Sequence, residues 1–207
     1  MQRYPAEWAA ALRRMDALQP EMLLPGHGLP VMGADRVHQA LTDTARYLES
    51  LVDQTIAMMN EGARLSDILH TVRPPADLEG APYLQPVYDE PEFVVRNIWR
   101  LNGGWWDGNP ATLKPAADAA LAIELAGLAG GPSGLCDRAL ELLSVGDDGA
   151  MRVACHLVEL AWLAAPEDAG VCEVRRQIYT ARAEVATSTM AKGVYRWAAR
   201  ESLGETT

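Results

Sequence analysis

The chain has 207 residues, 49% of them apolar and 22% charged, with a formal net charge of -10 and a sequence pI near 4.8. This composition belongs to a folded chain, not a disordered one, and the length suffices for one large domain or one domain plus a fragment. The negative field repels phosphate, so neither nucleic acid nor an anionic membrane surface is an expected partner.

Pro5 to Leu18 has the spacing of a helix, with Trp8, Ala11, Leu12 and Met15 on one face and Pro20 beyond its end. Met22-Leu23-Leu24 is an apolar run long enough only for a short buried strand, and it stops at the tight loop Pro25-Gly26-His27-Gly28. A single strand cannot satisfy its own backbone groups. Residues 1–33 are therefore expected to be a helix–strand–loop piece of an α/β fold that needs a sheet from elsewhere.

From Asp35 to Asn60 the apolar positions Val37, Leu41, Ala45, Leu48, Val52, Ile56 and Met59 recur every three or four residues, which predicts a long helix ended by Gly62. Leu51 and Met58 fall off that stripe and suggest a second apolar face for a partner. Ser66 is a candidate N-cap for a short helix that Pro74-Pro75 terminates. After a proline-rich irregular stretch, Glu90-Pro91-Glu92 has the chemistry of a helix start. Phe93, Val94, Asn97, Ile98 and Leu101 give that helix a packed face, and Gly103-Gly104 breaks it before Trp105-Trp106-Asp107-Gly108-Asn109-Pro110. The remainder is alanine-rich, with helices predicted at 116–129, 133–145, 148–164, 167–185 and 187–203. Two of these starts, Ser133 and Glu167, stand one tetratricopeptide period apart, which suggests an array of helix hairpins.

Few residues carry chemistry. His27, at a strand end between two glycines, can point a neutral imidazole nitrogen at zinc. His38, His70 and His156 have no partner at a recognised ligand spacing and are expected to be core or surface residues. No paired-histidine motif, nucleophile elbow or phosphate-binding loop is present. Asp89, Glu90 and Glu92 are expected to cap the following helix. Tyr83, Tyr88, Phe93, Trp99, Trp105 and Trp106 are expected to divide between core packing and an apolar wall. Cys136, Cys155 and Cys172 sit in apolar helical patterns as small core residues of a reducing compartment. No signal design occupies Met1 to Ala10, so a cytoplasmic location is expected.

The stretch LLPGHGLPVMG resembles the last metal-histidine loop of metallo-β-lactamase-fold hydrolases. YDEPEFVVRNIWRLNGGWWDGNPATLKPA resembles the alkyl sulfatase dimerisation domain, and the likeness runs from about Pro5 to Ser202. It implies a mainly all-α chain in two parts: a remnant of an αββα metal domain at 1–33 and a helical dimerisation domain at 34–207. It further implies a two-zinc hydrolase of alkyl sulfate esters in which His27 is the final zinc ligand and Tyr88 stands near the substrate. The HxHxDH motif of such enzymes is missing. The chain is therefore expected to be inactive by itself, to bind no zinc tightly alone, to form a homodimer through its helices, and to work with a metallo-β-lactamase-fold segment upstream. The alternative is a stand-alone helical protein-interaction module without catalysis.

Overall fold

A computed structural model describes residues 2–204, so the outermost ends of the two expected domains, Met1 and 205–207, lie outside the described residues. The chain divides into two units, Met1–Leu113 and Lys114–Thr207. The expected mainly helical character holds in both.

In the first unit, α1 (Pro5–Asp16) starts with proline at its first position, carries Glu7 in its first turn and Arg13 and Arg14 in its last, all in the sense its dipole favours. It buries Pro5, Ala9 and Leu12 against Val37, Leu41, Ala45 and Leu48 of α2 (Ala34–Asn60). Trp8 and Met15, expected on the packed face, are exposed. The small Ala9 lets the two helices approach closely, and the bulky pair is turned outward. Between the helices, β1 (Met22–Leu23) pairs antiparallel with β2 (Val31–Met32), with Met22 opposite Met32 and Leu23 opposite Val31. The expectation of a lone buried strand is corrected in both respects: its partner comes from this chain, and Met22 and Leu24 are exposed.

Helices α3 (Leu65–Thr71) and α4 (Pro91–Leu101) close over the other half of α2. Leu51 is fully buried there with Ile68, Leu69, Val95, Ile98 and Trp99, and Met58 packs against the same cluster. The second apolar face of α2 is thus consumed within the unit and is not free for a partner. Ser66 lies inside the first turn of α3 and does not cap it. The carbonyl of Asp107 accepts from Leu65 N at 3.0 Å instead, so the loop after α4 caps α3. The intervening irregular segment is held on α2 by Tyr83, whose hydroxyl donates to Asp43 at 2.6 Å, and by an Arg46–Asp77 ion pair at 2.8 Å.

The second unit holds α5 (Asp118–Leu128), α6 (Pro132–Val145), α7 (Asp148–Ala164), α8 (Ala169–Val185) and α9 (Thr189–Glu201). Asp147, Asp168 and Ser188 cap α7, α8 and α9 by accepting from the amide three residues on. The main contacts are the hairpin pairs α6 with α7 and α8 with α9. The starts at Pro132 and Ala169 are wider apart than the expected tetratricopeptide period. Small residues line the seam: Ala139, Ala154 and Ala161 are fully buried beside Val158 and Ile178. Through the seam runs Arg175, 2% exposed, which binds Glu159 of α7 and Glu201 of α9. Among the described residues no single helix is long and apolar enough to cross a membrane.

Candidate functional site

The β1–β2 hairpin turns through Pro25-Gly26-His27-Gly28, and Gly28 takes a φ of 100°, which a residue with a side chain rarely adopts. His27 is exposed at this turn, flanked by exposed Leu24 and Leu29. The hairpin thus presents an imidazole amid uncovered apolar surface. Among the described residues, no group of three His, Cys, Asp or Glu side chains is placed to hold a metal. Catalytic zinc takes three protein ligands and a water, so His27 with its neighbours does not by itself fit such a site.

The remaining histidines serve other purposes. His38 Nδ1 lies 2.7 Å from Asp16 Oδ1 and ties α2 to the end of α1. His70 Nδ1 lies 2.7 Å from the carbonyl of Ser66, one turn back on its own helix. His156 is exposed on α7.

Tyr88 is exposed on the segment before α4. Beside it, Arg3 Nε donates to Asp89 Oδ2 at 2.7 Å. The Asp89 hydrogen bond, and to a lesser extent the charge of Asp89 and contact with Tyr88, raise the arginine's pKa above its ordinary value. The backbone of Arg3 donates to Asn97 Oδ1 at 3.1 Å, and Gln2 Nε2 donates to the Asn97 carbonyl at 3.0 Å. Asp89 was expected to cap α4. Its Oδ1 does accept from Glu90 N, but its other oxygen is committed to Arg3. Tyr88 therefore stands on a stretch clamped to the start of the chain. Asn97 was placed on the packed face of α4 by sequence, but Arg3 and the contact between them were missed, because contacts between residues so far apart leave no local pattern. Among the described residues no hydrogen bond joins His27 and Tyr88; they stand on separate segments of the unit.

The aromatic residues split by burial. Trp99 belongs to the core, Phe93 and Trp106 are half-buried, and Tyr83, Tyr88 and Trp105 are exposed. The WWDGNP loop is fixed from within. Asp107 Oδ1 accepts from the Thr112 hydroxyl and from Asn109 N, and Trp106 Nε1 donates to the Asn109 carbonyl at 2.8 Å. A side chain at Gly108 would meet Arg64 at 3.0 Å.

Against this geometry, the family model described as alkyl sulfatase dimerisation matches residues 64–205. The chain belongs to the alkyl sulfatase dimerisation family. A linear primary-alkylsulfatase of Pseudomonas sp. is 35% identical over 130 residues, 62% of this chain and 25% of that protein. An alkyl/aryl-sulfatase of Saccharomyces cerevisiae is 27% identical over 142 residues, 69% of this chain and 22% of that protein. The chain thus spans about a quarter of the length of the curated relatives it matches. Among solved structures, the inverting secondary alkylsulfatase Pisa1 of Pseudomonas sp. superposes with a TM-score of 0.84 at 22% identity, covering 98% of this chain and 32% of that one. A double mutant of the same enzyme gives 0.87 at 21% identity, covering 99% and 33%. At that identity the agreement is one of fold, and it includes the hairpin as well as the alkyl sulfatase dimerisation helices.

Proposed function

We propose that this chain is the dimer-forming, pocket-supporting part of a zinc-dependent hydrolase of alkyl sulfate esters, and that it does not turn over substrate alone. The family match over residues 64–205 carries this reading. In it, His27 supplies one zinc ligand, Tyr88 stands beside the substrate, and a metallo-β-lactamase-fold segment supplies the other ligands. The exposed hairpin supports this, because Leu24, Leu29 and Met22 around His27 are apolar surface that such a segment would cover. When bound, zinc would polarise the ester and activate water. This chain's contribution is to hold the imidazole on a two-stranded turn and the tyrosine on its Arg3–Asp89 clamp.

For the homodimer the face we favour is on α5. Leu121, Leu125 and Leu128 recur at spacings of four and three. Leu121 and Leu128 are exposed, while Ala122 and Ala126 face the unit's own core. Such a stripe beside a packed face suits a second copy.

The test of the reading is a turnover assay with dodecyl sulfate and added zinc. The chain alone should show no hydrolysis and no tight zinc by equilibrium dialysis. Hydrolysis that His27→Ala abolishes would show a complete site and overturn it.

A further inference from the structure

Between α2 and the irregular segment that crosses it lies a hollow of about 460 Å³, which the hydrolase reading leaves unused. Its volume falls within the roughly 300–1,000 Å³ of small-molecule sites. Gln39, Asp43 and Arg46 stand on one wall, at spacings of four and three that put them on one face of α2. Asp77, Leu78, Gly80 and Tyr83 stand on the other.

The polar side chains are joined end to end. The Gln39 amide approaches the Tyr83 hydroxyl, which donates to Asp43 at 2.6 Å. Asp43 lies 3.6 Å from the Arg46 guanidinium, which donates to Asp77 at 2.8 Å. These bonds fix the planar groups without using them up. The side chains of Arg46 and Asp77 are 45% and 62% exposed, and Tyr83 is 51% exposed. A guanidinium carries five N–H donors and a carboxylate about four acceptor sites, so both keep capacity for a ligand.

The segment opposite α2 is braced as well. Leu78 is buried and anchors it. Ala81 N donates to the Leu78 carbonyl at 3.1 Å, and Gln85 Nε2 donates to the carbonyls of Glu79 and Ala81. A Cβ at Gly80 would meet nothing within 4 Å, so the hollow stays open on that side. Two carboxylates against one guanidinium disfavour an anion, and Arg46 between them disfavours a cation. Alternating acceptors and donors suit hydroxyl groups, each of which does both.

We propose that this hollow binds a pyranoside sugar, with neighbouring hydroxyls on Asp77 and Arg46, a further hydroxyl on Gln39, and the C–H face of the ring against Tyr83. The aromatic ring gives up water to the apolar face of the sugar, and the fixed polar groups take its edge.

The probes are the methyl glycosides of glucose, galactose and mannose, each titrated into the intact chain and followed by amide NMR and isothermal titration. One or more should bind saturably with a Kd of about 1 mM, shifting the amides of 39–46 and 77–83. Cyclohexanol, which keeps a ring face but one hydroxyl, should bind at least about tenfold more weakly. Gln39→Ala should weaken the sugar about fivefold and Tyr83→Ala about tenfold, with circular dichroism unchanged. Tyr83→Phe, which keeps the ring, should lose less than Tyr83→Ala. Should Tyr83→Ala release the segment, seen as lost amide protection at Leu78, Gln39→Ala decides alone, since that side chain is exposed. No saturable shift with any of the glycosides, equal affinity for cyclohexanol, or a Gln39→Ala variant of unchanged affinity overturns the proposal. So do shifts confined to amides elsewhere in the chain, and so does tighter binding of putrescine, which would make the hollow a cation site. A failed sulfatase assay bears on none of these outcomes.

Discussion

The guanidinium of Arg175 lies over the Trp162 ring, 4.1 Å from its centroid. The same group donates to Glu159 at 2.6 Å, to Glu201 at 2.9 Å, to the Ala198 carbonyl at 2.8 Å and to the Ser202 hydroxyl at 3.0 Å. One buried cation therefore joins three helices through a planar fork that lysine cannot reproduce. Arg175→Ala leaves the carboxylates of Glu159 and Glu201 without their donor, while the Ala198 carbonyl keeps Ser202, and should cost about 3 kcal/mol. Arg175→Lys, which keeps the charge but only one point of contact, should cost less. Urea unfolding measures both, and a loss under about 1 kcal/mol for alanine would contradict the central role given to this residue.

Gly104→Ala should be poorly tolerated. The added methyl meets the Trp99 indole at 2.2 Å, and Trp99 is packed in the core around Leu51 and Ile98. Overpacking of this kind costs about 1–3 kcal/mol. Gly26, whose Cβ would meet nothing within 4 Å, is the control and should accept alanine with little change. Thermal unfolding followed by tryptophan fluorescence separates the two.

Alkaline pH should destabilise the chain. Burial pushes the Cys136 thiol from 9.0 up to about 11 and the Tyr47 hydroxyl from 10.0 up to about 12. Between the paired values the folded chain keeps protons that the unfolded chain has released. Stability from these groups is complete below about pH 9 and falls as pH rises toward 11 and 12. Denaturation curves between pH 8 and 11 should show the decline, and Cys136→Ala should lessen its early part, the remainder coming from Cys155, whose thiol is also raised by burial. In native protein at pH 8, thiol reagents should reach Cys136 only on unfolding.

Replacement of Leu121 and Leu128 by glutamate should dissociate the proposed dimer without unfolding α5, because both side chains are exposed on the unit. Sedimentation equilibrium decides it. A wild-type chain that runs as a single 22.5 kDa species removes the assigned face altogether. Leu51→Glu, by contrast, should unfold the first unit, since that side chain is fully buried.

The helices were largely legible because their apolar residues recur at helical spacing and their ends carry glycine or proline. The predicted 35–60 and 148–164 differ by at most one residue from α2 and α7. Starts were less legible. The predicted 167 and 187 precede the true starts by two residues, although Asp168 and Ser188, the residues that cap α8 and α9, were there to be read. Val31-Met32 escaped notice as a strand because two residues after a proline carry no periodicity. Leu51 was placed on a free face because a helix pattern tells how many apolar stripes exist but not which neighbour covers each. For the candidate site, His27 and Tyr88 were proposed from the residues and the family likeness. The Arg3–Asp89 clamp and the polar hollow beside α2 could not be, since they depend on how distant segments meet.

The hydrogen bond from Gln2 to Asn97 spans 95 positions, whereas the Arg175–Glu159 pair spans 16. Closing the first kind of loop demands that most of a unit be ordered beforehand, while hairpins such as α6–α7 can form locally. The two halves of the chain should thus fold on different clocks, the carboxy-terminal hairpins early and the amino-terminal clamp last. Pulse-labelled hydrogen exchange should find amides of α6 and α7 protected before those of α1. On the ribosome, the segment around Arg3 would settle only after Asn97 had emerged, and Tyr88 would reach its final position only then.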